Sequence, residues 1–112
     1  MRPETIIDVQ LEYYNAHDLE GFASTYAEDV KIYNLLDNRI ILEGRDALRE
    51  AYKERFYVLK VHASIDNRII IGNKVIDHES VTGLKKDEVV HAVAIYEVLD
   101  DMIKNVWFVY ES

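Results

Sequence analysis

The stretch Val61-His-Ala-Ser-Ile-Asp-Asn-Arg-Ile-Ile-Ile-Gly-Asn-Lys-Val-Ile-Asp-His-Glu-Ser-Val-Thr82 turns the chain from helical spacing to two-residue alternation about a Gly72-Asn73 turn. Two runs rich in β-branched residues on either side of a two-residue connection read as an antiparallel hairpin. That loop length sets the register: Ile69 faces Ile76, Asn67 faces His78, Ile65 faces Ser80 and Ala63 faces Thr82. This set is the more apolar and is expected to face the core. The other face pairs Arg68 with Asp77 and Asp66 with Glu79, charges that are costly to bury unless closely compensated. It is expected to be a surface charge ladder.

With the Gly72-Asn73 turn, those at Gly83 to Asp87 and at Asp100-Asp101 divide the chain from Val61 onward into four antiparallel strands. Val90, Ala92, Ala94, Tyr96 and Val98 share one face, as do Val106, Phe108 and Tyr110, and both sets are expected inside. Upstream, Val30 to Asn34 and Ile40 to Glu43 read as short strands about an Asp37-Asn38 turn. Pro3 to Ala16 reads as a first helix, with Ile6, Ile7, Gln10, Leu11, Tyr13 and Tyr14 on its inner side. Asp18 caps a second, short helix with Phe22 and Tyr26 inside, and Gly44 opens a third with Leu48, Tyr52 and Phe56 at i, i+4, i+8. Helices first and a long meander last is the α+β pattern, in which helices cover one face of a curved sheet.

The chain has 112 residues and a formal charge of −8, and 36 residues are Leu, Ile, Val or Phe. One domain over residues 1–112 with a real core follows. The acidity argues against nucleic acid and anionic membrane surfaces as partners. Zero cysteine excludes a disulfide framework, a thiolate metal site and a cysteine nucleophile. The apolar runs are too short to span a bilayer, and Met1-Arg2-Pro3-Glu4 lacks the blocks of a signal peptide, so a cytoplasmic protein is expected. The outer sides of the last strands carry Val93, Ile95, Trp107 and Val109. No helix is left to cover them, and a homodimer packed sheet to sheet is expected.

Gln10-Leu-Glu-Tyr-Tyr-Asn-Ala-His-Asp-Leu-Glu-Gly-Phe22, Tyr26-Ala-Glu-Asp-Val30, Gly44-Arg-Asp-Ala-Leu48, Tyr96-Glu-Val98 and Val106-Trp-Phe108 together resemble the SnoaL-like, ketosteroid-isomerase-like branch of the nuclear transport factor 2 superfamily. The resemblance covers nearly the whole chain. It implies a cone: a strongly curved mixed or antiparallel sheet packed against three N-terminal helices, with a pocket between. The superfamily includes ketosteroid isomerase, polyketide cyclases, limonene epoxide hydrolase, scytalone dehydratase and non-catalytic docking modules, so the fold alone selects no function. By this resemblance the isomerase tyrosine falls at Gln10, its carboxylate base at Asn34 and its neutral acid near Ala94, and none is retained. An epoxide hydrolase would need an Asp-Arg-Asp cluster in the pocket; Asp66, Arg68 and Asp77 match in composition, but the pairing sets them outside.

The inner candidate is His78. Imidazole is the side chain suited to proton transfer near neutral pH, and Asn67 opposite could select its tautomer and leave the other nitrogen for a substrate. The same pair could equally be a core histidine and asparagine satisfying each other. Gln10, Tyr14, Tyr26, Asn34, Tyr52, Ser80, Tyr96 and Phe108 come from elements expected to converge on one cavity, as pocket or as aromatic core. His17 reads as a solvated turn residue, and His62 and His91 fall on outer faces. No two histidines share the i, i+4 spacing of a metal site, so no metal and no cofactor are expected. Asp77 and Glu79 sit about 6.6 Å apart by strand rise, superficially like a glycosidase pair.

Two functions stand open at this level. One is a cofactor-free isomerase or lyase acting on a small, largely apolar carbonyl or hydroxyl compound. The other is a non-catalytic ligand-binding or protein-association module, favoured by the missing carboxylate base.

Overall fold

A computed structural model describes residues 2–111. Helix α1 spans Pro3–Asn15, with proline in its first turn, Glu4 near its positive end, and Ile7, Gln10 and Tyr14 on the buried side. Helix α2 is Leu19–Ser24, and the Asp18 side chain caps it by accepting from the Gly21 amide at 2.9 Å. Strands β1 (Tyr26–Asn34) and β2 (Ile40–Glu43) precede helix α3 (Arg45–Glu54), which runs on into a π-helical turn, Arg55–Leu59. Strands β3 (His62–Ile71), β4 (Lys74–Thr82), β5 (Val89–Leu99) and β6 (Met102–Tyr110) complete the chain. Among the described residues no helix is long and apolar enough to cross a membrane.

The six strands form one curved sheet in the order β2-β1-β6-β5-β4-β3. Every neighbouring pair is antiparallel except β1 with β6, which run parallel. The helices lie on one side, and Phe22, Leu48, Tyr52 and Phe56 meet Val30, Val61, Val75, Tyr96, Ile103 and Val106 in the core. Its centre is aromatic: Phe22 packs edge-on to Phe56 with centroids 5.1 Å apart, and Tyr14 meets the same ring at 5.3 Å. This is the α+β architecture expected from the sequence.

Tyr26 differs from expectation in its element: α2 ends at Ser24, and Tyr26 is the first residue of β1, still buried. His17 is also more than a solvated turn. It takes a left-handed backbone (φ 59°), and its Nε2 sits 2.7 Å from the Val61 carbonyl oxygen. Asn15 reaches the next strand residue but one, donating to the Ala63 carbonyl at 3.0 Å and accepting from the Ala63 amide at 2.8 Å. The end of α1 is thereby fastened to β3, the edge strand.

The largest correction concerns the hairpin faces. Near the turn the expected register holds, with Ile69 opposite Ile76, Arg68 opposite Asp77 and Asn67 opposite His78. A β-bulge at Asp66 then shifts the pairing by one, so that Ile65 meets Glu79, Ser64 meets Ser80 and Ala63 meets Val81. Along β4 the faces are the reverse of those expected: Val75, Asp77, Glu79 and Val81 are buried, whereas Ile76, His78 and Ser80 lie on the outer side; on β3, before the bulge, Ala63 is buried as expected. The cause is the next strand. Asp77 stands opposite Ala94 and Glu79 opposite Ala92, and these alanines face inward as expected. Residues directly paired across a ladder share a face, so the carboxylates follow the alanines into the interior. Asp77 is neutralised there by Arg68, whose Nε and a terminal nitrogen donate to its two oxygens at 2.7 and 2.9 Å. Of the expected ladder the Arg68–Asp77 rung exists, buried instead of exposed; the Asp66–Glu79 rung does not form, because the bulge pairs Glu79 with Ile65 and leaves Asp66 exposed.

Candidate functional site

Between the helices and the concave side of the sheet lies a narrow cavity of about 20 Å³, space for the centre of about one water molecule. Gln10 and Tyr14 reach it from α1, Tyr26 from β1, Tyr52 from α3, Tyr96 from β5 and Phe108 from β6. These six were expected at a common cavity, and the fold brings them together. Asn34 is elsewhere: it ends β1, and its Oδ1 accepts from the Leu36 amide at 2.9 Å to shape the following turn. His78, Asn67 and Ser80 are on the opposite side of the sheet, because the strand face is reversed. His78 and Asn67 remain neighbours there, with Nδ1 and Nδ2 3.3 Å apart.

Three further cavity residues supply the charge and the opening. Glu79 projects inward from β4, and its Oε2 accepts from the Tyr96 hydroxyl at 3.2 Å. Arg55, from the π-helical turn, lays its guanidinium 4.6 Å from the centre of the Tyr52 ring and donates to the Tyr110 hydroxyl at 3.1 Å. Widening of the last helical turn carries Arg55 over the cavity while Phe56 keeps its place in the core, a use of π turns common near functional sites. Tyr110 is 37% exposed and stands at the mouth.

Burial is the main cause of an unusual acidity at Glu79. The carboxyl is 6% exposed, and with the negative charge of Asp77 on the same strand this pushes its pKa up to about 7, against the Tyr96 hydrogen bond and the Arg68 charge, which pull it down. Tyr14, Tyr26, Tyr52 and Tyr96 are pushed above the ordinary phenol range, chiefly by burial, so they stay neutral and can donate. The cavity thus holds one proton-exchanging carboxyl, one permanent cation and several hydroxyls, a set suited to moving a proton beside a bound oxygen.

Sequence reasoning set Glu79 on the wrong face and passed over Arg55. The signal for Glu79 lay in β5: two alanines in the inner row leave space that side chains from the neighbouring strand must fill. An Asp-Arg-Asp cluster does form, but as Asp8, Arg68 and Asp77, with Arg68 also donating to Asp8 at 2.7 Å. It ties α1 to the sheet and does not line the cavity; Asp66 takes no part.

The expected absence of a metal site rested on sequence spacing, and the outer face bears on it differently. Asp66, His78 and His91, from three strands, gather their ligating atoms within 4.8 Å of one another. Cross-strand neighbours of this kind leave no fixed interval in the sequence.

The SnoaL-like domain family matches residues 9–106 of the chain. No curated protein sequence matches it. Among solved structures it is similar to an uncharacterized cystatin-fold protein from Novosphingobium aromaticivorans, with 24% identity over 97% of this chain and 98% of that one and a TM-score of 0.85. It is also similar to a protein named as a candidate ketosteroid isomerase from Kribbella flavida (20% identity, 98% and 78% covered, TM-score 0.83) and to a SnoaL-like protein of unknown function from Burkholderia thailandensis (14%, 98% and 94%, 0.80). At these identities the likeness is one of fold. A match over most of the length, on a six-stranded curved sheet with the expected three-helix cover, places the chain in the SnoaL-like domain family.

Proposed function

We propose that the cavity is a proton-transfer site at which Glu79 carries out cofactor-free isomerase or lyase chemistry on a small carbonyl or hydroxyl compound. The observation that carries this reading is a buried carboxyl brought to about 7 at a tyrosine-lined cavity. A group with that pKa is near half protonated at neutral pH, so it can take a proton from carbon or oxygen and return it at a neighbouring atom. Arg55 and the tyrosine hydroxyls would hold the substrate oxygen as charge develops on it. In this arrangement Glu79 takes the role that the sequence suggested for His78.

The test is a thermal-shift screen against small apolar ketones, enones, lactones and steroids, followed by turnover of any hit in wild type and in Glu79→Gln. The reading expects a hit whose binding survives the substitution while its turnover falls by at least about a hundredfold. Turnover that persists in Glu79→Gln refutes it. A second reading, a binding module without reaction, rests on the small cavity, which Tyr52, Tyr96 and Phe108 nearly fill. It predicts ligands that bind and are never transformed.

Assembly is a separate proposal. Val93, Ile95, Trp107 and Val109 form a half-buried apolar row on the outer face, with Trp107 stacked on Tyr33 at 5.1 Å. A second copy of the chain is the proposed cover. Trp107→Glu should convert a dimer to a monomer in sedimentation equilibrium, and a wild-type chain that sediments as a monomer at high concentration refutes this.

A further inference from the structure

The outer face of β3, β4 and β5 carries a side-chain cluster with no part in the cavity. The β-bulge leaves Asp66 as the unpaired extra residue of β3, which turns its carboxylate outward beside Ser80 and His78. His91 stands opposite Ser80 on β5, diagonal to His78. His78 Nε2 and His91 Nδ1 are 3.1 Å apart, and the Asp66 Oδ2 lies 3.5 Å from the first and 3.7 Å from the second.

These three distances describe the face of a coordination tetrahedron. Zinc bonds to imidazole nitrogen and carboxylate oxygen of about 2.0–2.1 Å at tetrahedral angles separate the ligand atoms by about 3.3 Å. The observed triangle has this size without any movement of the backbone. Supporting partners are also in place. The Ser80 hydroxyl donates to the Asp66 carboxylate, and Asn67 sits against the distal Nδ1 of His78. In this structure the Asn67 amide nitrogen faces that ring nitrogen; a half-turn of the amide would bring its oxygen there to accept the Nδ1 proton and leave Nε2 with a free lone pair, the usual outer support of a metal-bound histidine.

We propose that Asp66, His78 and His91 bind one divalent transition-metal ion of the zinc type on the outer face of the sheet, with solvent completing its coordination. Two nitrogens and one carboxylate suit zinc, cobalt or nickel better than magnesium or calcium, which favour oxygen ligands. The shallow groove beside the cluster is bordered by Val93, Val109 and Tyr110. Glu79 points to the other side of the same strand, and the site stands independently of the cavity reading.

The experiment is calorimetric titration of chelator-treated protein with zinc chloride near neutral pH, with cobalt absorption as a second readout of the coordination geometry. The chain has no cysteine and only four histidines, so the background is low. One equivalent is expected to bind, with affinity reduced at least about tenfold in His91→Ala and in Asp66→Asn. His62→Gln and Glu79→Gln should bind as wild type does, and circular dichroism confirms that each variant is folded. Absence of binding, or binding that His91→Ala leaves unchanged, overturns the proposal and marks the cluster as a hydrogen-bonded relay between Ser80, Asp66 and the two histidines.

Discussion

Replacement of Glu79 by glutamine should remove part of the pH dependence of stability. In the fold the carboxyl titrates at about 7, whereas its ordinary value is 4.5. Between those values the native state holds a proton that the unfolded chain has released, so stability falls as pH rises through the interval. Below about pH 4.5 the group is neutral in both states and contributes nothing; above about pH 7 the full penalty of a buried charge is present. At about 1.4 kcal/mol per pH unit, the interval amounts to about 3 kcal/mol. Glutamine keeps the shape and cannot ionise. Relative to wild type, Glu79→Gln should therefore gain about 3 kcal/mol between about pH 5 and pH 8.5, on the order of 10 °C in Tm. Urea denaturation of both proteins across that range measures it, and any fixed cost of the amide cancels in the difference. Parallel stability profiles for the two proteins would refute both the burial argument and the acid-base role built on it.

Arg68→Met strands the fully buried Asp77 and should cost about 3–5 kcal/mol in urea unfolding; adding Asp77→Asn should recover part of the loss. Tyr96→Phe deletes a hydrogen bond that favours the Glu79 carboxylate, so the Glu79 titration followed by carbon NMR should move above 7. Asn15→Ala leaves both backbone groups of Ala63 without their side-chain partner. It should cost about 2 kcal/mol and speed hydrogen exchange at the Ala63 amide.

Much of the architecture is legible in the residues because it rests on local periodicity. The Leu48, Tyr52 and Phe56 stripe, the Asp18 cap and the alternating β5 and β6 rows each declare their own inner face. The hairpin of β3 and β4 does not, since its apolar set and its charged set have similar claims on the interior. The choice between them is made by β5, through Ala92 and Ala94, and by compensation from Arg68 and Tyr96. Both are contacts between elements. The bulge at Asp66 is silent for the same reason, as a single extra residue within a run of plausible strand residues. The cavity tyrosines could be named from the sequence, whereas the carboxyl among them could not, because its face depended on a pairing with the following strand.

The parallel contact between β1 and β6 has a consequence for the life of the chain before it is folded. β6 alone joins β2-β1 to β5-β4-β3, pairing Tyr33 with Trp107 and Asn34 with Phe108. During synthesis the helices and β1 emerge well before their sheet partner, which follows the whole of β3, β4 and β5. Until then the two halves of the sheet have open edges and an uncovered aromatic core, a period of vulnerability to aggregation and proteolysis. Such a closing contact is remote in sequence, which slows the final step of folding. The residues whose loss most endangers the nascent chain are thus in β6, the strand that also brings Phe108 to the cavity of the completed fold.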